Sequence, residues 1–510
     1  MATTTLTPMA LARLSSFIFL PALPLWLLLR LSGPPLIRAM YEGQSIGLLN
    51  SLITGQDSHS LNHYLSAYIG WIDASLLAIV GLVIALNTIG LIFRLDLHKR
   101  SVTGFNIIVF TLLCVLVIAR EPMLMLQPRF WAEEATVYFY TAISAPFWEA
   151  VIAPHQGYYS FLANVAALLA KLPKLEYAPA VTTGISLLVQ LAVLAAVMIN
   201  NSAFLDTSLK KALAGIATVI VGAVGEIWLT TICSQHYLVL LMFLILIDEK
   251  HSPVKRRSYY VIAGVTAISS VASCFLTPLF LLRYLVRRQK QDFVLFAILS
   301  AACLIQLFAI LYSHLELGDA AYFHSSQARF SPSTDWLLVL NRIIFYAMEY
   351  PLSGFSRNWF SVAAAIMLSA LTVYALTRKP ETYWAPVAAI WVLTIISVLA
   401  SLNMAGGERY AYASAVIVSI FLIGLTADKD HNRLLRLVAG LLLVRSLAFW
   451  SLHYDKGMVD HYDPDWPVWA DEVAAWREDP TKELRAHPQL EAQRKRGIEW
   501  SARIDDSWIE

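Results

Sequence analysis

The sequence predicts an all-α polytopic membrane protein: a bundle of about 13 transmembrane helices, interfacial helices in its outer loops and a small outer C-terminal appendage. Three observations carry that reading. The 510 residues are 58% hydrophobic and only 15% charged, with a mean hydropathy of +0.59, and a water-soluble domain of this size needs far more charge. The apolar runs are continuous over roughly 18–25 residues rather than alternating over ten, so each satisfies its own backbone hydrogen bonds as a helix and none suits a barrel. Lysine and arginine recur in alternate loops, as in a chain threaded back and forth across a bilayer.

The first apolar run, 14–32, lacks a small-residue cleavage site and is followed by many others, so it reads as a retained anchor rather than a signal peptide. With the run 68–93 it makes an N-terminal two-helix extension, residues 1–104. The core, 105–452, carries spans at 105–122, 176–198, 211–229, 237–248, 258–272, 275–287, 291–313, 356–377, 384–402, 411–427 and 433–452. Arg94/Lys99/Arg100, Lys210/Lys211, Lys255-Arg256-Arg257, Arg287-Arg288/Lys290, Arg378-Lys379 and Arg433/Arg436 mark one side as cytoplasmic. The N-terminus then lies inside, and an odd number of spans puts the C-terminus outside. The run Trp336 to Ser353 is read as interfacial, because a span there would carry Arg378-Lys379 to the outer side. The segment Tyr159–Leu172 is too short to span and is read the same way. The tail, 453–510, holds fourteen acidic against eight basic residues together with Trp466, Trp469, Trp476, Trp500 and Trp508. Aromatics at that density predict a folded outer appendage near the headgroups.

Several function classes are excluded. The net charge is +2, and the basic residues are dispersed in short loops rather than gathered on a nucleic-acid-binding face. Cys114, Cys233, Cys274 and Cys303 fall in or beside apolar runs without metal-ligand spacing or a disulfide framework. A glycine-rich phosphate loop, a dinucleotide fingerprint and a zinc-helix motif are all missing.

The candidate site residues lie in the outer loops. Glu133 and Glu134 sit just past a span among Phe130, Trp131, Tyr138, Phe139 and Tyr140, with Arg129 beside them. Carboxylates next to a bilayer are costly to keep, and aromatic walls around a charged centre suit a sugar cleft. The plain alternative is a solvated loop at the positive end of an interfacial helix. Pro154-His155-Gln156-Gly157-Tyr158 offers His155, Gln156 and Tyr158 to sugar hydroxyls, or else forms an interfacial turn. Glu226, Gln235 and His236 occupy the next outer loop. Glu408, Arg409 and Tyr410 follow a glycine pair, Gly406-Gly407, that lets the backbone approach a ligand, and Arg409 can grip a phosphate. Arg329 and Arg342 are weaker phosphate candidates, and Arg445 falls inside a span.

The acidic loop after a span, interfacial helices within it and the late outer-loop arginine Arg409 together resemble the GT-C superfamily of polyprenyl-phosphate-sugar-dependent membrane glycosyltransferases. The Phe130-Trp131-Ala132-Glu133-Glu134 segment, Gln235-His236 and the Gly407-Glu408-Arg409-Tyr410 turn resemble an uncharacterised bacterial branch of it. The resemblance covers roughly residues 105–452 and departs in having Glu where the family often has Asp, and in the two preceding spans. It implies a bacterial inner-membrane enzyme with a periplasmic active site and a GT-C-like bundle. Its donor would be a polyprenyl-phosphate sugar and its acceptor a glycan, lipid or protein. Glu133 or Glu134 would be the base, and a divalent metal is left open. The chemistry fits independently: a lipid phosphate leaves without a general acid, so one carboxylate base and cations for the phosphate suffice, and attack opposite the phosphate inverts the anomeric carbon. Three other classes compete, one of them a membrane assembly factor whose tail binds a partner. A transporter or flippase of lipid-linked glycans would use Asp73 and Arg445 as buried charges, and a surface-glycan polymerase or ligase would use outer arginines and histidines.

Overall fold

The computed structural model describes residues 103–121, 123–155, 157–222, 225–249, 252–316, 335–354, 359–401, 407–453, 467–488 and 501–502. The N-terminal extension, with its two expected spans and Asp73, lies outside the described residues.

The bundle is built from α1 (Thr103–Arg120), α2 (Ala178–Ile199), α3 (Ser208–Ile220), α4 (Gln235–Ile247), α5 (Pro253–Ser269) and α6 (Thr277–Arg287). It continues with α7 (Lys290–Glu316), α8 (Trp359–Arg378), α9 (Pro380–Ala400), α10 (Glu408–Ala427) and α11 (Arg433–Leu452). Among the described residues six helices are long and apolar enough to cross a membrane, or up to seven if the bent pair α5 and Val271–Arg287 is one span. The chain is therefore a multi-pass membrane protein, with fewer full-length spans than the apolar runs predict.

Two physical reasons account for part of the difference, while the runs 105–122 and 211–229 simply form shorter helices, α1 and α3. The runs 258–272 and 275–287 were expected as separate spans, but they form a pair bent by 118°. Ser270 makes the corner with extended backbone. Its hydroxyl accepts from the Ser273 N–H at 3.3 Å and donates to the Gln235 carbonyl at 3.1 Å. The helix α4 has 13 residues, about 20 Å against a hydrocarbon core of about 30 Å. Nearly every one of its side chains is buried in protein, and a helix apolar all round reads the same whether it faces lipid or neighbours.

At the centre stands α10, buried along almost its whole length against α3, α4, α9 and α11. Ala411, Ala413, Ser414, Ala415, Ser419 and Gly424 let neighbouring backbones approach. Gly424 is the tightest point: a Cβ there would lie 2.8 Å from Cε1 of Phe204 and closer still to its Cδ1.

The basic loops gather at one end of the bundle. Arg283, fully buried, donates to the last carbonyls of α4 at Ile245 (2.9 Å) and Leu246 and to the Asp248 carbonyl (2.8 Å), and it pairs with Asp292 at 3.0 Å. Lys255 reaches Asp248 and the Ile199 carbonyl, the latter at 2.8 Å. Lys379 pairs with Asp428 at 2.9 Å, and Tyr383 donates to the same carboxylate at 3.0 Å. Phe204 meets Tyr383 edge-on at 5.6 Å, joining these clusters. At the other end Arg120 lies over Trp228 (4.6 Å) and donates to the Val219 carbonyl, while Tyr412 donates to Thr218 at 2.8 Å. The acidic loop and the turn before α4 belong to this second end.

Between α1 and α2 the chain forms short helices. Phe161–Ala170 covers part of the segment expected at the interface, yet six of its ten residues are buried, and it packs on α2, α5 and the acidic loop. In the run Trp336 to Ser353, the helix Trp336–Ile344 exposes Trp336, Leu337 and Leu340, whereas Phe345–Met348 and Tyr350–Ser353 are buried. The tail departs from the all-α expectation. Beside the helix Trp469–Glu478 it has a two-stranded antiparallel sheet, with Leu484 opposite Ala502 and Arg485 opposite Ser501. It also packs onto the acidic loop, sharing one apolar cluster with Phe130, Ala135 and Phe139.

Replacing Gly424 by Ala overpacks the Phe204 contact and should cost about 1–3 kcal/mol. Thermal unfolding in detergent should show a lower midpoint for G424A and partial recovery for G424A/F204L. An unchanged midpoint for G424A would mean that α10 can shift freely at this point.

Candidate active site

After α1 the chain reaches Arg129, passes Phe130 and Trp131, and turns at Ala132, whose φ of +45° is left-handed. Glu133 is helical again, and Glu134–Phe139 forms one π-helical turn, a feature that recurs at functional sites. Adjacent residues on a helix diverge by about 100°, so the two glutamates part company. Glu134 points inward and is 2% exposed. Its Oε2 accepts from the Trp131 N–H at 2.9 Å, and its Oε1 accepts from the Thr231 N–H at 2.6 Å and the Thr231 hydroxyl at 2.5 Å. Burial raises its pKa, opposed by these hydrogen bonds and by the charge of Arg129. Arg129 is buried too, its guanidinium 4.4 Å above the Trp131 ring, and burial lowers its pKa to about 10 against the pull of Glu134 and Glu121. Arg129, Trp131 and Glu134, expected as two substrate-binding residues and a candidate base, thus form the packed interior of the loop. Guanidinium–indole stacking and a saturated carboxylate leave them little to offer a ligand.

Glu133 is half-buried and, among the described residues, its carboxylate has no hydrogen-bond or ion-pair partner. Its charge is felt by Tyr138, Tyr158 and Cys233. Burial is the main reason that the Tyr158 hydroxyl and the Cys233 thiol resist ionisation, the thiol being pushed up to about 12. Glu133 adds to both effects and Arg409 subtracts from both. The early-loop carboxylate and the late-loop guanidinium thus act in opposite senses on the same two side chains.

Arg409 occupies the first turn of α10. It pairs with Glu226 at 2.7 Å, both groups being partly exposed, and donates to the Tyr410 hydroxyl at 3.4 Å. Tyr410 meets His236 edge-on at 5.7 Å. His236 is buried, and among the described residues its Nε2 has no hydrogen-bond partner. His155 and Tyr158 exchange backbone hydrogen bonds of 3.0 and 3.1 Å across a turn in which Gly157 has φ +81°. The His155 ring stands edge-on to Tyr138 at 4.6 Å, with its Nε2 likewise buried and, among the described residues, without a hydrogen-bond partner. Burial lowers its pKa to about 4, so the imidazole is neutral near pH 7. The cluster thus offers a free carboxylate, a guanidinium and two unsatisfied imidazole nitrogens.

The remaining expected residues are scattered. Gln156 and Arg329 lie outside the described residues. Gln235 starts α4 and uses its carbonyl to hold the Ser270 corner. Glu408 is exposed beside Arg409. Arg342 sits on the helix Trp336–Ile344, which packs on α9. Arg445 is midway along α11, half-buried, its Nε buried without a protein partner.

Sequence reasoning missed Thr231, the donor that fixes Glu134, because a threonine in an outer loop carries no signal of a partner 97 positions away. It also missed Arg120 and Glu121, buried charges at the end of α1. A charged pair directly after an apolar run was the available signal. Among the described residues no group of three or more His, Cys, Asp or Glu is placed to hold a metal ion.

No family model matches this chain, and no curated protein does. Among solved structures it is similar to ArnT from Cupriavidus metallidurans bound to undecaprenyl phosphate. The TM-score is 0.37 at 11% identity, over 72% of this chain and 82% of that one. At that level of likeness, function has to be read from the geometry of the site.

Thr231→Val removes the hydroxyl donor to Glu134 while keeping shape and the backbone N–H. It should cost about 1–3 kcal/mol by leaving a buried carboxylate short of a donor, read as a lower unfolding midpoint in detergent. A midpoint equal to wild type would show that Glu134 is not the anchor of the loop.

Proposed function

We propose that the protein is a membrane glycosyltransferase that moves a hexosyl or pentosyl group from a polyprenyl-phosphate donor to a hydroxyl of a periplasmic or cell-surface glycan, lipid or protein. The observation that carries this reading is the chain of contacts that brings the acidic loop to Arg409: Glu134, the neighbour of Glu133, is bonded to Thr231, and Glu226 of the same turn pairs with Arg409 at 2.7 Å. The resemblance seen in the sequence agrees with it. The site belongs to the core, residues 105–452, in the inner membrane, at the end of the bundle away from the basic loops and so on the periplasmic side. A donor carried by lipid suits a site on that face, where no nucleotide sugar is supplied.

Glu133 is the base. It takes the proton of the acceptor hydroxyl as the oxygen attacks the anomeric carbon, the bond from that carbon to the lipid phosphate breaks, and the electron pair leaves with the phosphate. Arg409 holds the phosphate as its charge grows. Attack from the face opposite the leaving group inverts the centre. His155 and His236, each with a buried nitrogen lacking a protein partner, bind sugar hydroxyls, and Tyr158 and Tyr410 wall the site. Glu134 serves the fold instead, because all three of its hydrogen bonds are internal.

Transfer of radiolabelled sugar from a polyprenyl-phosphate donor tests the assignment. Glu133→Gln should lower kcat by about 10²–10⁴ with protein accumulation unchanged, whereas Glu134→Gln should lower thermal stability first. Full activity in E133Q would end the base assignment, and absence of any transfer by the wild-type protein across a panel of lipid-linked sugars would end the reading itself.

Arg409 holds Glu226 where the donor phosphate is proposed to bind, so the carboxylate competes with the donor. A partly exposed pair is worth up to about 1 kcal/mol, so Glu226→Gln should tighten polyprenyl-phosphate binding by up to about fivefold, and Arg409→Gln should weaken it. Titration by intrinsic tryptophan fluorescence reads both. Weaker binding in E226Q would mean that Glu226 supports Arg409 rather than competing for it.

A further inference from the structure

The C-terminal tail is anchored at three places beside the acidic loop. Trp469 stands edge-on to Phe130 with ring centroids 4.9 Å apart, and its indole N–H donates to the Leu175 carbonyl at 2.8 Å. Val473, Trp476, Leu484, Ala486 and Ala502 complete one apolar cluster with Phe130 and Phe139. At its rim Arg477 pairs with Glu176. From this base His487 bridges to Trp131 through the backbone. The His487 N–H donates to the Phe130 carbonyl at 3.2 Å, and the Ala132 N–H donates to the His487 carbonyl. The residue clamped there is Ala132, left-handed at φ +45°, a conformation that costs a residue with a Cβ roughly 1–2 kcal/mol. The next residue in the chain is Glu133.

We propose that the tail is the positioning element for Glu133: the backbone bridge at His487 holds Ala132 in its left-handed conformation and thereby aims the Glu133 carboxylate at the acceptor. This rests on Glu133 being the base. Glu134, two residues along and pinned by Thr231, fixes the other side of the turn. The carboxylate is thus held between two anchors, and removing the tail anchor frees Ala132 to relax to an ordinary conformation, turning Glu133 away. Such a change alters the rate of proton removal and leaves the phosphate grip of Arg409 in place.

The test uses the full-length protein with a polyprenyl-phosphate sugar donor. Trp469→Ala should lower kcat at least tenfold, leave the donor KM within twofold, and speed amide hydrogen exchange at Ala132. Trp469→Phe, which keeps the edge-on ring, should retain most of the rate. Glycine adopts φ +45° without a Cβ penalty, so adding Ala132→Gly to Trp469→Ala should recover at least threefold in kcat, a rescue that a merely structural tail would not give. If Trp469→Ala fails to accumulate, Arg477→Gln loosens the same dock at its rim and is read by the same exchange and kcat measurements. Unchanged exchange at Ala132, an unchanged kcat, or no rescue by Ala132→Gly would overturn the proposal. Glu133→Gln separates the two claims: if it is inactive while Trp469→Ala keeps kcat, only the tail proposal falls, and if it is fully active the base reading falls with it.

Discussion

The carboxylate of Glu134 is the junction on which the site depends. A buried carboxylate is tolerated only when its lone pairs are met, and here three donors meet them from two distant stretches of chain, Trp131 on its own loop and Thr231 on the turn before α4. Satisfying that one group therefore sews the acidic loop to the 225–236 turn. The same turn carries Glu226, Cys233 and His236, so the junction also sets the distance from Glu133 to the Arg409 cluster. Packing alone would not do this, since apolar contacts are non-directional and would let the loop slide.

Buried polar groups are handled differently along the bundle. At the basic end Arg283, Lys255 and Lys379 are each spent on carbonyls or carboxylates, closing helix termini that would otherwise present bare acceptors to the interior. At the other end, among the described residues, His155 and His236 keep buried nitrogens without partners and the Glu133 carboxylate has none. Natural proteins seldom leave buried polar atoms unmet without a reason. The Asp292 oxygens at the basic end are also without a hydrogen bond, so unmet atoms alone do not mark a site; in the proposed reaction it is the two imidazoles that a bound sugar completes.

Much of the fold was legible because apolar run length and the lysine–arginine bias report directly on the bilayer. They gave the helical class, the long spans α2, α7, α8, α9, α10 and α11 and the gathering of basic loops at one end. What they hid was burial within protein: α4 is as apolar as a lipid-facing helix and is enclosed instead. The corner at Ser270 was hidden too, since one serine in an apolar run gives no hint of a 118° bend. Residue types picked out Glu133, His155, His236 and Arg409 as the candidates that the proposal uses, but the choice between adjacent glutamates depends on which side of one helical turn faces Thr231. The tryptophans of the tail foretold a folded segment. Nothing in their spacing foretold that it would clamp the acidic loop.

The pairing of a saturated glutamate with a free one suits the proposed reaction. A base must change its charge during turnover, so it cannot also be the group that holds the fold together, or every proton transfer would strain the loop. In that proposal the structural load falls on Glu134 and the proton on Glu133, neighbours that a helical turn points apart. The π-turn that follows belongs to the same arrangement: it starts at Glu134 and runs to Phe139, carrying Tyr138 toward His155 while Phe139 packs at a tilt on Phe130 at 4.8 Å in the cluster that the tail shares. One turn of backbone thus faces the two imidazole-bearing loops on one side and the tail on the other. The tail therefore grips the acidic loop on both sides of Glu133, through the backbone at Ala132 and through the rings of Phe130 and Phe139.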